Sequence, residues 1–130
     1  MVAASTACAD EQVQPAKLLS TETLDAAALN ERLRTRPRNG NPISLVLDLV
    51  SGTAETPHVR VDMASDPKTD FNRVTVTVVR DGFQDDSMRG DWHEFVLTRA
   101  ADGAWTVNSA HRAYRCWRGK TKGFAARICP

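Results

Sequence analysis

The chain has 130 residues, of which 42% are hydrophobic and 25% are charged, and its formal net charge is +1 at pH 7. This size and composition predict one globular domain with a core of its own. The near-neutral charge argues against a protein that binds nucleic acid with its whole surface, and no run of residues approaches the ~18 apolar positions of a membrane-spanning helix.

The beginning of the chain predicts the remnant of an export signal and a polar tether, together covering residues 1–17. Residues 1–8 (MVAASTAC) are small and uncharged, like the end of a secretory signal at its cleavage site. Ser5, however, is a poor match for the large apolar residue of a lipoprotein signal. Cys8 is interpreted as a lipid-attachment site, with an unpaired thiol or a cloning remnant as alternatives. Residues 18–130 are predicted to form a single α+β domain.

One helix is predicted, over about residues 21–35. Ser20 is a suitable N-cap because its hydroxyl can accept a hydrogen bond from a free amide in the first turn. Leu24, Leu29 and Leu33 lie on one side at helical spacing and predict a narrow apolar stripe. A proline and an Asn-Gly pair follow and end the helix.

Alternating apolar and polar residues predict strands after the helix. The most apolar run, 43–50 (ISLVLDLV), is predicted to be a strand packed under the helix. The later segments with this alternation are 59–63, 74–78, 92–99 and 104–113. Asp102-Gly103 predicts a hairpin between the last two, and a long polar connection is expected before Trp92. The fold class is therefore α+β, with one N-terminal helix packed on a four- or five-stranded antiparallel sheet.

The three cysteines allow one disulfide and leave one thiol over. Cys116 and Cys129 are predicted to be joined and to close a C-terminal loop, which would stabilise the fold by roughly 3 kcal/mol. The alternative is two free thiols, of which one would be exposed near the chain end. In the favoured pairing, Cys8 is the cysteine without a disulfide partner.

Charge is uneven along the chain, and the last segment is basic. After Asp102 there are six basic residues and no acidic one, whereas the preceding residues are acidic on balance. We expect a binding surface here, formed by basic and aromatic residues together: Arg112, Tyr114, Arg115, Trp117, Arg118, Lys120, Lys122 and Arg127. In the alternative interpretation, this basic segment neutralises the acidic body, Trp105 and Phe124 lie in the core, and Trp117 packs on the disulfide.

The last 57 residues or so resemble a known kind of protein. The stretches VTVTVVRDGFQDDSMRGDWHEFVLTR and GAWTVNSAHRAYRCWRGKTKGFAARIC are similar to an uncharacterised family of small exported bacterial proteins, many of them lipoproteins. Relatives tend to carry a second Arg-Gly and a His before the Phe, where this chain has Lys120-Thr121-Lys122-Gly123. The resemblance implies an exported location, periplasmic or secreted and in some cases membrane-anchored. It implies no activity.

Other polar clusters give weak signals. Asp85-Asp86-Ser87 lacks the spacing of a calcium loop, so a solvated turn is predicted. His58, His93 and His111 share no metal-ligand spacing, although His93 and His111 could approach each other across neighbouring strands. No motif activates a nucleophile, and no cofactor or metal is expected.

Two classes of function therefore stay open. The favoured one is a non-enzymatic exported domain that binds an anionic or protein partner in the cell envelope, for example as an inhibitor or immunity protein, and no nucleic acid. The alternative is a small-ligand or enzymatic domain with a pocket between helix and sheet, lined by His93 or His111 and arginine.

Overall fold

Two helices lie on one face of a five-stranded antiparallel sheet in the computed structural model, which describes residues 17–119 and 122–129. The helices are α1 (Ala26–Leu33) and α2 (Pro42–Leu49), and the strands are β1 (Glu22–Thr23), β2 (His58–Ser65), β3 (Arg73–Asp81), β4 (Met88–Arg99) and β5 (Trp105–Cys116). The strand order is β1-β5-β4-β3-β2. The α+β class, the antiparallel sheet and the disulfide predicted from sequence are confirmed.

The predicted strand 43–50 is wrong, because these residues form helix α2. Asn41 caps the helix by accepting a hydrogen bond from the amide of Ile43 at 2.8 Å, and Pro42 occupies the first turn, where its missing N–H costs nothing. The buried residues Leu45, Val46 and Leu49 lie on one helical face. Most residues of this run are apolar, so the alternation of apolar and polar residues that predicted a strand arises by chance, and its leucines favour a helix.

Helix α1 is shorter than predicted and begins later. Its N-cap is Asp25, whose carboxylate accepts hydrogen bonds from the amides of Ala27 and Ala28 at 3.0 and 3.4 Å. Ser20 is therefore not the cap; its hydroxyl accepts a hydrogen bond from the amide of Ala126 at 2.9 Å. The residues just before α1 form the short strand β1 instead of a first helical turn.

The core lies between the helices and the inner face of the sheet. Leu33, Phe95 and Leu97 have essentially no exposed surface and fill its centre, while Leu29 and Trp105 close its sides. The other buried apolar side chains of this core are Leu45, Val46, Leu49, Val50, Val74, Val76, Val78, Val107 and Ala110. The burial of Leu29 and Leu33 confirms two members of the apolar stripe predicted for the helix, whereas the third, Leu24, precedes the helix and packs against the core from there, partly buried.

The β4–β5 hairpin is longer than the predicted one. Gly103 has φ 88°, a left-handed conformation that suits glycine, so Asp102-Gly103 does turn the chain. At the other end, β4 already begins at Met88, which shortens the expected polar connection. Asp85 organises the turn before it by accepting hydrogen bonds from the amides of Ser87 and Met88 at 2.7 and 2.9 Å, and these bonds lower the pKa of its carboxyl. This is the solvated turn that the sequence predicts.

The disulfide between Cys116 and Cys129 joins the end of β5 to the C-terminal residues, with the two Cα atoms 5.4 Å apart. Between them, Phe124 is buried, and its backbone exchanges hydrogen bonds with the segment before β1: its carbonyl accepts from Leu19 N at 2.8 Å, and its amide donates to Lys17 O at 2.8 Å. A side chain at Gly123 would meet Lys17 O at 2.1 Å, so glycine is required for this approach. The C-terminal segment thus holds the first described residues against β5.

No helix among the described residues is long and apolar enough to cross a membrane.

Candidate functional site

A cleft of about 470 Å³ opens where the C-terminal end of α2 meets the inner face of the sheet. Its charged and polar lining comes from Arg32 of α1, Arg80 of β3, Asp91 and His93 of β4, and Arg112 and Tyr114 of β5. The remaining lining residues are Leu49, Val50, Ser51, Phe83 and Met88. We call this space the cleft. A smaller hollow of about 220 Å³ beside α1 shares Arg32, Leu49, His93 and Arg112 with it.

The register of the sheet brings the polar side chains together. Asp91 lies opposite both Arg80 of β3 and Tyr114 of β5, and His93 lies opposite Arg112. Side chains alternate between the two faces of a strand, so these residues share the inner face with the buried Phe95. The polar cluster is therefore a continuation of the core surface beyond the end of α2.

Arg80 and Asp91 form a buried ion pair at the base of the cleft. The guanidinium Nε donates to Oδ1 of Asp91 at 2.8 Å and Nη2 donates to Oδ2 at 2.5 Å, while Nη1 donates to the carbonyl of Ser51 at 2.6 Å. The side chains are only 12% and 6% exposed. Arg80 also lies over the ring of Phe83, 5.0 Å from its centroid. These contacts fix both charges and orient Arg80 rigidly.

His93 is buried beside this pair and is held neutral. Burial is the main cause that lowers its pKa to about 4, and the nearby Arg80 and Arg112 lower it further against the opposing effect of Asp91. Nδ1 of His93 lies 3.8 Å from Oδ1 of Asp91, too far for a hydrogen bond. No described atom of the protein makes a hydrogen bond to this nitrogen.

Arg112 forms the opposite wall of the cleft. Its Nη2 donates to Oε1 of Glu22 in β1 at 3.1 Å, and its guanidinium lies 5.2 Å from the centroid of the Tyr114 ring. Its Nε is buried and has no hydrogen-bond partner among the described residues. Burial raises the pKa of Tyr114, so its hydroxyl stays protonated at neutral pH.

The charge of the lining suits an anion. Three arginines line the cleft and only one carboxylate, that of Asp91, lies among them. Asp91 is already engaged with Arg80, and Arg32 makes only a long bond, 3.4 Å, to the carbonyl of Leu49. Glu22 compensates part of the charge of Arg112, whereas Arg32 forms no ion pair with the described residues, so the lining keeps a net positive potential.

The predicted binding surface does not form one patch. Arg112 and Tyr114 face the cleft, whereas Arg115 approaches Asp81 at 3.6 Å. Trp117 is 49% exposed and lies beneath Arg89, whose guanidinium is 5.1 Å from the ring centroid. Arg118, Lys122 and Arg127 are exposed. Lys120 and Cys8 lie outside the described residues.

Two of the three aromatic residues that the alternative interpretation assigned to structural roles are buried as it predicts, and Trp117 is not. Trp105 and Phe124 are buried in the structure, at 4% and 3% exposure. Trp117 follows the disulfide residue Cys116, but its ring is half exposed and partly covered by Arg89.

The histidines are separated. His111 lies opposite Glu94 and Thr23, one residue out of step with the His93–Arg112 pair, so the two imidazoles lie on opposite faces of the sheet. The hypothesis that they approach each other is therefore wrong. Within residues 17–119 and 122–129, no three His, Cys, Asp or Glu side chains are arranged to hold a metal ion.

Sequence reasoning named His93, Arg112 and Tyr114 but missed Arg32, Arg80 and Asp91. A signal for Asp91 was present, because it stands two residues before His93 in the same alternation that places Phe95 in the core. A carboxylate at a core-facing position needs a buried partner. Which arginine provides it depends on the register between β3 and β4, which no sequence pattern fixed.

Comparisons of this chain with protein-family models, with curated proteins and with solved structures gave no match. The cleft is therefore interpreted from its own chemistry.

Proposed function

We propose that the protein is a non-enzymatic, exported binding domain that holds a small organic anion in the cleft. The observation that carries the proposal is the lining of this cleft of about 470 Å³, in which the three arginines Arg32, Arg80 and Arg112 accompany one carboxylate, that of Asp91. An arginine-rich lining of this kind attracts a negatively charged group.

The volume and lining indicate the class of ligand. A cleft of about 470 Å³ lies within the ordinary range for small-molecule sites. Arg32 and Arg112 favour a carboxylate or phosphate, since a guanidinium can donate two parallel hydrogen bonds to either group. Leu49, Phe83 and Met88 offer apolar contact to the rest of the molecule. An organic anion with a small apolar or aromatic part satisfies both halves of the lining.

The exported location is supported by the disulfide. Cys116 and Cys129 are paired, and disulfides persist mainly in oxidising compartments such as the periplasm and the extracellular space. The resemblance of the last 57 residues to exported bacterial proteins agrees with this location. Lipid attachment at Cys8 is part of the same proposal. Mass spectrometry of protein isolated from its native membrane tests it.

Binding can be tested with benzoate and phenyl phosphate as anionic probes and benzamide as a neutral probe of the same shape. We expect both anions to bind with a dissociation constant in the millimolar range or below, measured by NMR titration, and benzamide to bind at least about tenfold more weakly. Arg112→Gln should weaken the binding of both anions by about tenfold or more, because it removes a positive charge from the lining. Arg118→Gln removes an exposed arginine outside the cleft and serves as the matched control.

Three outcomes of these titrations would contradict the proposal. If neither anion binds, or if benzamide binds as well as benzoate, the cleft is not an anion site. If Arg118→Gln weakens binding as much as Arg112→Gln, the anions bind by general attraction to positive charge. A thermal melt of each variant shows whether the fold is retained.

A second candidate is the C-terminal surface around Trp117, for a protein or an anionic envelope polymer. The observation that favours it is a half-exposed tryptophan beside a polar hollow of about 120 Å³ lined by Arg89, Arg115, Gly119 and Lys122. Exposed aromatic and arginine side chains are enriched at binding interfaces. Pull-down from envelope extract at two salt concentrations, with wild type and an Arg118→Glu, Lys122→Glu variant, tests this surface. Identical captured proteins in all samples would end this hypothesis.

A further inference from the structure

Strand β2 forms one long edge of the sheet. The strand runs from His58 to Ser65, pairs on one side with β3, and stands last in the strand order. No described residue pairs with its outer side. At the opposite edge, β1 has only two residues, and the part of β5 that it leaves uncovered already bonds through Trp105, Val107 and Ala110 to Arg38, Asn30 and Leu24. An eight-residue open edge presents a row of free N–H and C=O groups that can pair with another strand.

The backbone groups that face outward can be identified from one hydrogen bond. The amide of Asp66 donates to the carbonyl of Arg73 at 2.9 Å, in register with the β2–β3 ladder. In an antiparallel pair, every second residue bonds to the same neighbour. The residues at even positions of β2 therefore bond to β3, and the N–H and C=O groups of Val59, Val61 and Met63 point away from the sheet.

The charges of β2 are complementary to a second copy of the same strand. Suppose two β2 strands pair antiparallel about a twofold axis at Val61, so that Val61 meets its own copy. Arg60 and Asp62 form an ion pair within one strand at 3.1 Å, and in this register Arg60 of each strand also lies opposite Asp62 of the other, while Val59 lies opposite Met63. Centring the pair on Asp62 or Arg60 instead would oppose two like charges. Only the Val61 register matches both the charges and the outward backbone groups.

The apolar side chains agree with this register. Val59 and Met63 are 39% and 44% exposed, and they lie on the same face of the sheet as the core-packing Val61. Pairing through a twofold axis perpendicular to the sheet would place these side chains of both copies side by side on the helix-bearing face. Their exposed surface would then be reduced by mutual contact.

We propose that the protein forms a twofold-symmetric homodimer by pairing the β2 edges, with Val61 at the axis and two Arg60–Asp62 pairs between the copies. The arrangement extends the two sheets into one continuous sheet. It closes after two copies because β1 offers no second edge of comparable length. The dimer does not use the cleft, whose lining residues include none from β2.

Sedimentation velocity over a range of concentrations measures the association. The full chain should reach twice its 14.3 kDa mass as concentration rises. Arg60→Asp should raise the dissociation constant by about tenfold or more, since it opposes Asp62 of the partner with a like charge at two symmetric positions. Adding Asp62→Arg to this variant should restore association, because the reversed pairs attract again.

Val61→Pro tests the backbone pairing itself. The N–H that it removes is not bonded to β3, so proline is tolerated at this edge position, and the variant should be a folded monomer by circular dichroism and sedimentation. A wild-type mass of 14.3 kDa at every concentration would overturn the proposal. So would a dimer that survives in folded Val61→Pro, or one that Arg60→Asp does not weaken. If Val61→Pro fails to fold, the two charge variants decide alone.

Discussion

Removing Asp91 should destabilise the protein strongly, because it would leave Arg80 buried without its counter-ion. The Arg80 side chain is only 12% exposed and donates two hydrogen bonds to Asp91, at 2.8 and 2.5 Å. It also contacts the carbonyl of Ser51 and the ring of Phe83, and neither of these groups carries a charge. Breaking a buried ion pair from one side typically costs about 3–5 kcal/mol. We therefore expect Asp91→Ala to lower the free energy of unfolding by about 3–5 kcal/mol, measured by urea denaturation.

Two further variants separate the buried charge from other effects. Asp48→Ala removes the carboxylate of a surface pair with Arg36 whose side chains are 46% and 50% exposed, and it should cost less than about 1 kcal/mol. Replacing the buried pair by Arg80→Met with Asp91→Leu should recover most of the loss, because no uncompensated charge remains. A cost below about 1 kcal/mol for Asp91→Ala would refute the buried pair at the base of the cleft.

Three other predictions concern pH, packing and the disulfide. The pKa of His93 is lowered to about 4 from an ordinary 6.5, so the unfolded chain takes up a proton at this residue at a higher pH than the folded protein does. The free energy of unfolding should therefore not depend on His93 above about pH 6.5 and should fall by about 3 kcal/mol between pH 6.5 and pH 4, measured by urea denaturation at each pH. His93→Gln should remove this part of the pH dependence. Leu29→Ala removes a side chain that is 8% exposed between helix and sheet and should cost about 2–4 kcal/mol, whereas a change below about 0.5 kcal/mol in the same assay would place α1 outside the core. Non-reducing peptide mapping should join Cys116 to Cys129, and Cys116→Ser with Cys129→Ser should cost about 3 kcal/mol; free thiols in protein from an oxidising compartment would contradict the pairing.

Sequence patterns predicted most of the sheet because its strands alternate clearly. The β4–β5 hairpin follows from the period of two and the Asp102-Gly103 turn, and the buried stripe of α1 follows from leucines at helical spacing. The prediction for 43–50 failed because its two polar residues, Ser44 and Asp48, are four positions apart, a spacing that fits both the alternation of a strand and one exposed face of a helix. Its helix-start residues, Asn41 and Pro42, were the signals that could have decided it.

The cleft was predictable only in outline. A pocket between helix and sheet lined by His93 and arginine was one of the hypotheses, and Arg112 was named for a different reason, as part of a basic segment. The ion pair between Arg80 and Asp91 joins residues on neighbouring strands. Its formation depends on strand register, which is set by packing of the whole sheet and not by local sequence.

The central claim is that an organic anion binds in the cleft, and the most direct test locates a bound probe by NMR. Benzoate at saturating concentration should give intermolecular nuclear Overhauser effects between its ring protons and side chains of the cleft, in particular Leu49, His93 and Tyr114. Contacts to Trp117 instead, with none to the cleft, would contradict the claim and would place anion binding on the C-terminal surface.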